Sequence, residues 1–187
     1  MIFLLIGLGN IGKNYANTRH NAGFLCLDYL QSELKLEPFG EDSKFLAEVS
    51  TTKINEHLKL VLAKPTTFMN RSGQSVHLLQ KFYKISSDNI VIIHDDLDIE
   101  LGNWKYHVGK GPRGHNGIIS VEQHMNDILF GRFRIGVENR TQAMKDNMSG
   151  RDYVLGTFTA SEKTILTDTV FPQIKNKLET LFTNQNE

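Results

Sequence analysis

The chain has 187 residues, enough for one domain that buries a full hydrophobic core without disulfide or metal staples. Lys plus Arg and Asp plus Glu both number 21, so the formal net charge is zero. That balance counts against a protein that coats nucleic acid through its global charge; a nucleic-acid partner would need a local basic patch. Cys26 is the only cysteine, which excludes an internal disulfide and fits a reducing compartment. Lying between Gly23 and Leu27 among apolar neighbours, it reads as a small core residue. No apolar run approaches bilayer length, and the short run Ile2 to Ile6 has no basic leader. The expectation is a cytoplasmic protein with no membrane association.

Ile2 to Ile6 reads as a buried strand closed by Gly7 and Gly9. A polar stretch, Asn10 to Asn21, precedes a helix predicted over Ala22 to Leu36, with Asn21 as its N-cap. Lys44 to Thr51 and His57 to Ala63 form a predicted hairpin, ended by Pro65. Ser72 to Tyr83 carries Val76, Leu79 and Phe82 at helical spacing. Asn89 to Ile93 is the best central strand and is expected to stop at His94-Asp95-Asp96. A short strand follows around Trp104 and Tyr106, then a glycine-rich loop, Gly109 to Gly117, and a helix over Ile118 to Leu129. Phe133 to Val137 is the last predicted strand, and Thr141 to Gly150 reads as a polar loop. Thr159 to Glu162 matches a capping box for a final helix that Pro172 should kink or divide. Strands and helices alternate with no internal repeat. The expected fold is therefore α/β: a single domain over 1–187, with a twisted, mostly parallel (mixed) central sheet flanked by helices. Functional residues should gather on loops at the strand ends.

Two nucleotide motifs come close in the first loop. Gly7-Leu8-Gly9-Asn10-Ile11-Gly12 fits G-x-G-x-x-G, but a dinucleotide site needs a helix opening at those glycines. Gly7 to Asn14 falls one residue short of a P-loop, with Asn14 where a magnesium-binding hydroxyl belongs. In both cases the predicted helix starts about ten polar residues too late.

A different constellation fits better. The stretch GLGNIGKNYANTRHNAGF carries His20 among asparagines; Phe68-Met69-Asn70, His94-Asp95-Asp96 and Gly114-His115-Asn116-Gly117 follow at other strand ends or loops. None of these groups holds a nucleophilic Ser or Cys, G-x-S-x-G is absent, and neither H-E-x-x-H nor cysteine pairs suggest zinc. His, Asp and Asn can instead carry ester hydrolysis by direct attack of water. A neutral imidazole takes the proton near pH 7, a carboxylate fixes its tautomer, and Asn amides donate to the oxyanion without adding charge.

GLGNIGKNYANTRHNAGF, KPTTFMNRSG, HDDLD, GHNG and, before the last helix, DYVLGTF resemble the bacterial peptidyl-tRNA hydrolases, in the same order and nearly end to end. The resemblance implies one α/β domain, no metal or other cofactor, and hydrolysis of the ester between a peptide and the tRNA 3′ end. By position, His20 matches the family's catalytic histidine and Asp95 its carboxylate partner. Asn10, Asn70 and Asn116 match asparagines lining the site, and Tyr15 and Met69 stand where the family contacts substrate. Each residue also has a plainer reading. His20 could be a solvated loop residue and Asp95 a strand-end cap. Asn70 could cap a helix, Asn10 and Asn116 could hold turns, Tyr15 and Met69 could be core, and His115 could contact substrate or anchor its loop.

Ile11 replaces the family's usual proline, Lys110, Pro112 and Arg113 interrupt the glycine loop, and Glu138-Asn139-Arg140 replaces a Gly/Pro turn. His107 falls where the family has a lysine that grips tRNA phosphate. Lys105, Lys110, Arg113, Arg132 and Arg134 are the basic residues concentrated near the motifs, and Arg132 and Arg134 share one side of a strand. The expectation is a monomer whose basic patch receives the tRNA acceptor end. Two rivals remain: a non-catalytic RNA-binding relative, and a P-loop protein binding ATP or GTP with magnesium.

Overall fold

The computed structural model describes residues 1–109 and 114–184. In chain order the elements are β1 (Ile2–Gly7), α1 (Ala22–Glu33), β2 (Gly40–Asp42), β3 (Ala47–Lys53), β4 (Lys59–Pro65), α2 (Ser72–Tyr83) and β5 (Ile90–Glu100). They continue with β6 (Trp104–Val108), α3 (Asn116–Met125), β7 (Gly131–Glu138), α4 (Gln142–Asn147), α5 (Gly150–Leu155), α6 (Ala160–Ile165) and α7 (Phe171–Asn184). The sheet order is β2-β3-β4-β1-β5-β7-β6. Its centre, β4-β1-β5-β7, is parallel, and both margins are antiparallel.

β1 is apolar throughout because both of its faces are covered. Phe3 and Leu5 pack with α1 and α7, whereas Leu4 and Ile6 pack with α2 and α3. The chain leaves β1 across the α1 face to reach β4. It then crosses the α2 face to β5, on the other side of β1. The neighbours of β1 are thus entered from opposite faces, which opens a crevice beyond the carboxyl ends of β1 and β5.

Two glycines bring α1 down onto that crevice. A Cβ on Gly23 would lie 2.2 Å from the Ile93 carbonyl oxygen and 2.5 Å from the Leu8 nitrogen, and one on Gly7 would lie 2.5 Å from the Gly23 oxygen. The first turn of α1 therefore rests directly on backbone, and the single 3-10 turn before it, Arg19–Asn21, is carried over the strand ends.

Several boundaries differ from the sequence reading. α1 stops at Glu33, because Lys35 takes a positive φ of 51°. β5 does not end at His94. Its ladder with β7 continues through His94↔Arg134, Asp95↔Ile135 and Asp96↔Gly136. α3 begins at Asn116, earlier than expected, with the His115 side chain as its cap. The stretch expected as a loop contains α4, capped by Thr141, and is followed by α5, capped by Ser149. The Thr159–Glu162 capping box is present. A wider π-helical stretch, Leu166–Val170, precedes α7, where Pro172 has no N–H for the ordinary ladder.

Gly23→Ala should force α1 off the strand ends and cost about 1–3 kcal/mol, the usual range for overpacking. Thermal unfolding of the variant checks this: a drop of roughly 2–4 °C per kcal/mol is expected for a chain of this size.

Candidate active site

The loop after β1 is held by side chains acting on backbone. Asn21 makes no helix-cap bond, which corrects the sequence reading. Its Oδ1 accepts from the Asn10 N–H at 2.8 Å, and its Nδ2 donates to the Asn10 carbonyl at 2.9 Å. Asn10, in turn, accepts on Oδ1 from the Met69 N–H at 2.8 Å. The β1–α1 loop is thereby tied to the turn before α2, and the Asn10 Nδ2 keeps its protons free among the described residues. Phe68 pays for this arrangement in backbone strain, with φ 59° and ψ 158°, a region that side chains avoid.

Above this frame lies a cluster of three histidines and one carboxylate. The Asp95 Oδ1 accepts from His20 Nδ1 at 2.8 Å and from His115 Nε2 at 3.0 Å. An ionised carboxylate only accepts, so each of these ring nitrogens carries its proton. The His115 Nδ1 accepts from the Ile118 N–H at 3.3 Å, which fixes that ring and starts α3. His94 is fully buried; its Nδ1 donates to the Asp95 carbonyl at 2.7 Å, and its ring meets His115 edge-on at 4.7 Å. With His20 Nδ1 engaged, Nε2 is left as the basic nitrogen.

Burial acts against a charged His20, but the charge and hydrogen bond of Asp95 outweigh it and lift the imidazole above its usual 6.5. Burial also opposes ionisation of Asp95, yet His20 and His115 together hold it well below the usual carboxylate range. His94 is pushed the other way, by burial and by the neighbouring His115, and stays neutral at ordinary pH.

The C-terminal segments brace the turn that carries His20. Arg19 is buried and donates from Nη2 to both Glu162 oxygens, at 3.0 and 2.8 Å, while its guanidinium lies 4.1 Å from the Tyr153 ring centre. Glu162 also closes the α6 capping box.

Two adjoining cavities meet at His20. One, of about 340 Å³, includes Asp95, His115 and Asn116 in its wall; the other, of about 350 Å³, includes Asn10, Tyr15, Met69, Asn70 and Asn116. The structure thus brings together His20, Asp95, His115, Asn10, Asn70, Asn116, Tyr15 and Met69. Asn70 and Asn116 are exposed there, whereas Met69 is largely buried and also belongs to the core. Phe68, the first residue of the Phe68-Met69-Asn70 group, lines the second cavity; Arg151 and Val154 line both, and neither was given a role from sequence. Arg151 and Val154 sit on α5, a helix of six residues with no apolar period long enough to reveal it.

The basic patch is smaller than the sequence suggested. Arg132 does share a face with Arg134, but it is fully buried under α3, paired with Glu122 at 2.7 Å and stacked on Phe130 at 4.5 Å. It cannot reach a phosphate, which corrects that expectation. Arg134 is bound through Nε to Asp96 Oδ2 at 2.5 Å, and exposed Lys105 stands beside it in register. Lys110 and Arg113 lie outside the described residues.

His20, Asp95 and His115 are also the one group among the described residues whose ligand atoms, within 4.8 Å of one another, could chelate a metal. Those atoms are already spent on hydrogen bonds to each other. The nucleotide motifs fare worse: the helix after Gly7 to Asn14 opens only at Ala22, well past the motif's last residue and not directly from its glycines.

A family profile described as peptidyl-tRNA hydrolase matches residues 4–187. The chain belongs to the peptidyl-tRNA hydrolase family. A relative of that name from Rickettsia canadensis is 40% identical over 187 residues, covering all of this chain and 96% of the relative. One from Lactiplantibacillus plantarum is 41% identical, covering 85% of this chain and 82% of its own length. The crystal structure of peptidyl-tRNA hydrolase from Acinetobacter baumannii superposes with a TM-score of 0.85 at 34% identity, covering 98% of this chain and 90% of that one. The peptidyl-tRNA hydrolase fold thus extends through the C-terminal helices that brace Arg19.

Asn21→Ala would free both polar groups of the Asn10 backbone in a buried place, at a cost of about 1–3 kcal/mol. Hydrogen exchange should show the Asn10 and Met69 amides losing protection together; loss at Asn10 alone would contradict the tie between the two loops.

Proposed function

We propose that this chain hydrolyses the ester joining a peptide, or an N-blocked amino acid, to the 3′ end of tRNA, with His20 as general base. Hydrolysis of peptidyl-tRNA is the activity of the family. The observation that carries the assignment of the base is the 2.8 Å bond from His20 Nδ1 to Asp95, which leaves Nε2 basic at the junction of the two cavities.

Neutral His20 takes a proton from water, and the resulting hydroxide attacks the ester carbonyl. The Asn70 amide donates to the substrate carbonyl as negative charge develops on it, and the amides of Asn10 and Asn116 line the groove that takes the peptide. Asp95 stabilises the imidazolium that forms, and the tetrahedral intermediate expels the ribose 3′ oxygen, which takes that proton back from His20. Free tRNA and peptide leave. The tRNA end rests on the side of β7 and β6, where Lys105 and Arg134 lie, and the peptide runs the other way, past Asn10 and Met69. No metal takes part, the working unit is a monomer, and the compartment is the cytoplasm. No helix among the described residues is long and apolar enough to cross a membrane.

The test is release of N-acetyl-amino acid from N-acetyl-aminoacyl-tRNA with EDTA present. Wild type should cleave, and His20→Ala should be slower by about 100- to 10,000-fold, the usual range for removal of a general base. Equal rates would remove His20 from the mechanism.

The pH profile follows from the raised pKa of His20. The base works only when neutral, so kcat/KM should fall as pH drops through a midpoint above 6.5. Asp95→Asn removes the group that raises the midpoint and leaves the burial that lowers it. The midpoint should then move to lower pH, and the plateau should fall as well. An unmoved midpoint would show that Asp95 does not act on the titrating group.

A further inference from the structure

Four residues belong to both of the cavities that meet at His20: His20 itself, Asn116, Arg151 and Val154. The mechanism above uses the first two. Arg151 is exposed on α5, and its guanidinium makes no hydrogen bond or ion pair with any described residue. Arg19, Arg134 and Arg140, by contrast, are each committed to a carboxylate. An unspent guanidinium thus stands at the junction where the ester would lie.

The charges of the two walls are divided. Asp95, Asp96 and Asp98 all stand in the first cavity. Asp95 is met by His20 and His115, Asp96 is bound by Arg134, and Asp98 is exposed on the same strand. The second cavity has no carboxylate among its described lining residues. Arg151 is its one permanently charged side chain, since His20 is neutral in the working form. The rest of that wall is amide, phenol and apolar surface, with Phe68 and Leu155 open to solvent at 49% and 38%. A negative group in the first cavity would share it with Asp98. In the second it would meet the guanidinium alone.

We propose that Arg151 selects an acidic side chain, Glu or Asp, on the peptide next to the ester. The proposal rests on the hydrolase reading above, in which the peptide takes the second cavity. Arg151 shares both walls with His20, so the residue it reads is the esterified one or its neighbour. An extended chain advances about 3.3 Å per residue, which carries later residues away from the junction. The guanidinium can take a carboxylate through two parallel N–H bonds, and Phe68 and Leu155 offer apolar surface to the methylenes of glutamate. Arg151 is exposed, so the pair is partly solvated and its effect is modest.

The experiment uses N-acetyl-dipeptidyl-tRNAs, all on one tRNA, with Glu, Gln or Ala as the esterified residue and Ala before it. A second set places Glu, Gln or Ala next to an esterified Ala. The Glu-to-Gln ratio of kcat/KM is measured in the wild type, Arg151→Gln and Arg151→Glu. Comparing that ratio between proteins cancels both the intrinsic reactivity of each ester and any loss of folded enzyme. At one of the two positions the wild-type ratio should exceed that of Arg151→Gln by roughly two- to fivefold, expressed in KM, the scale of a partly solvated ion pair. Arg151→Glu should lower the ratio further. Ratios that agree between wild type and Arg151→Gln at both positions would overturn the proposal; if all substrates fell together in the variant, Arg151 would act on the tRNA they share. Cleavage of the all-alanine substrate by the wild type tests the hydrolase reading separately, so agreement of the ratios overturns the selection alone.

Discussion

The structure is organised around one carboxylate oxygen. Asp95 Oδ1 receives an imidazole from each side, His20 from the loop after β1 and His115 from the start of α3. Burying a carboxylate is costly unless its charge is met, and two proton-bearing rings meet it here. The same bonds set the chemistry. They hold a proton on His20 Nδ1 and raise the basicity of the ring, and His20 lies where the two cavities meet. Everything near this oxygen serves to keep it in place: the extended β5–β7 ladder, the His94 bond to the Asp95 carbonyl, and the edge-on contact of His94 with His115.

The position of His20 is over-determined in a similar way. Gly23 and Gly7 let the start of α1 touch the strand ends, Asn21 locks the Asn10 backbone, and Arg19 is clamped by Glu162 and Tyr153. The Arg19–Glu162 pair is buried, and such pairs add little net stability for the desolvation they cost. Its effect is geometric: it ties the turn bearing His20 to α5 and α6, far along the chain. Asparagines do the fine positioning throughout, since an amide both donates and accepts and adds no charge near Asp95.

How far the sequence could be read depended on whether a feature was local. β1 and α2 were legible, because an unbroken apolar run and a 3.6-residue spacing report burial directly. The residues that gather around the two cavities were legible as short motifs at strand ends, even though their meeting depends on the sheet order. β5 was read as too short, because His94, Asp95 and Asp96 are polar and only the β7 ladder shows that they remain in a strand. Asn21 sits where a cap would, but its side chain turned to Asn10, a partner that appears only in three dimensions. Arg132 was placed on the correct face and given the wrong role, because its burial is decided by Glu122 and Phe130.

The central claim is that Asp95 holds neutral His20 with its proton on Nδ1 and raises its affinity for a second proton. An NMR titration of the imidazole nitrogens, with His20 assigned by comparison with His20→Gln, reads both properties at once. The account predicts a protonated Nδ1 and a bare Nε2 in the neutral form, with a protonation midpoint above 6.5. A neutral form protonated on Nε2, or a midpoint below 6.5, would contradict it.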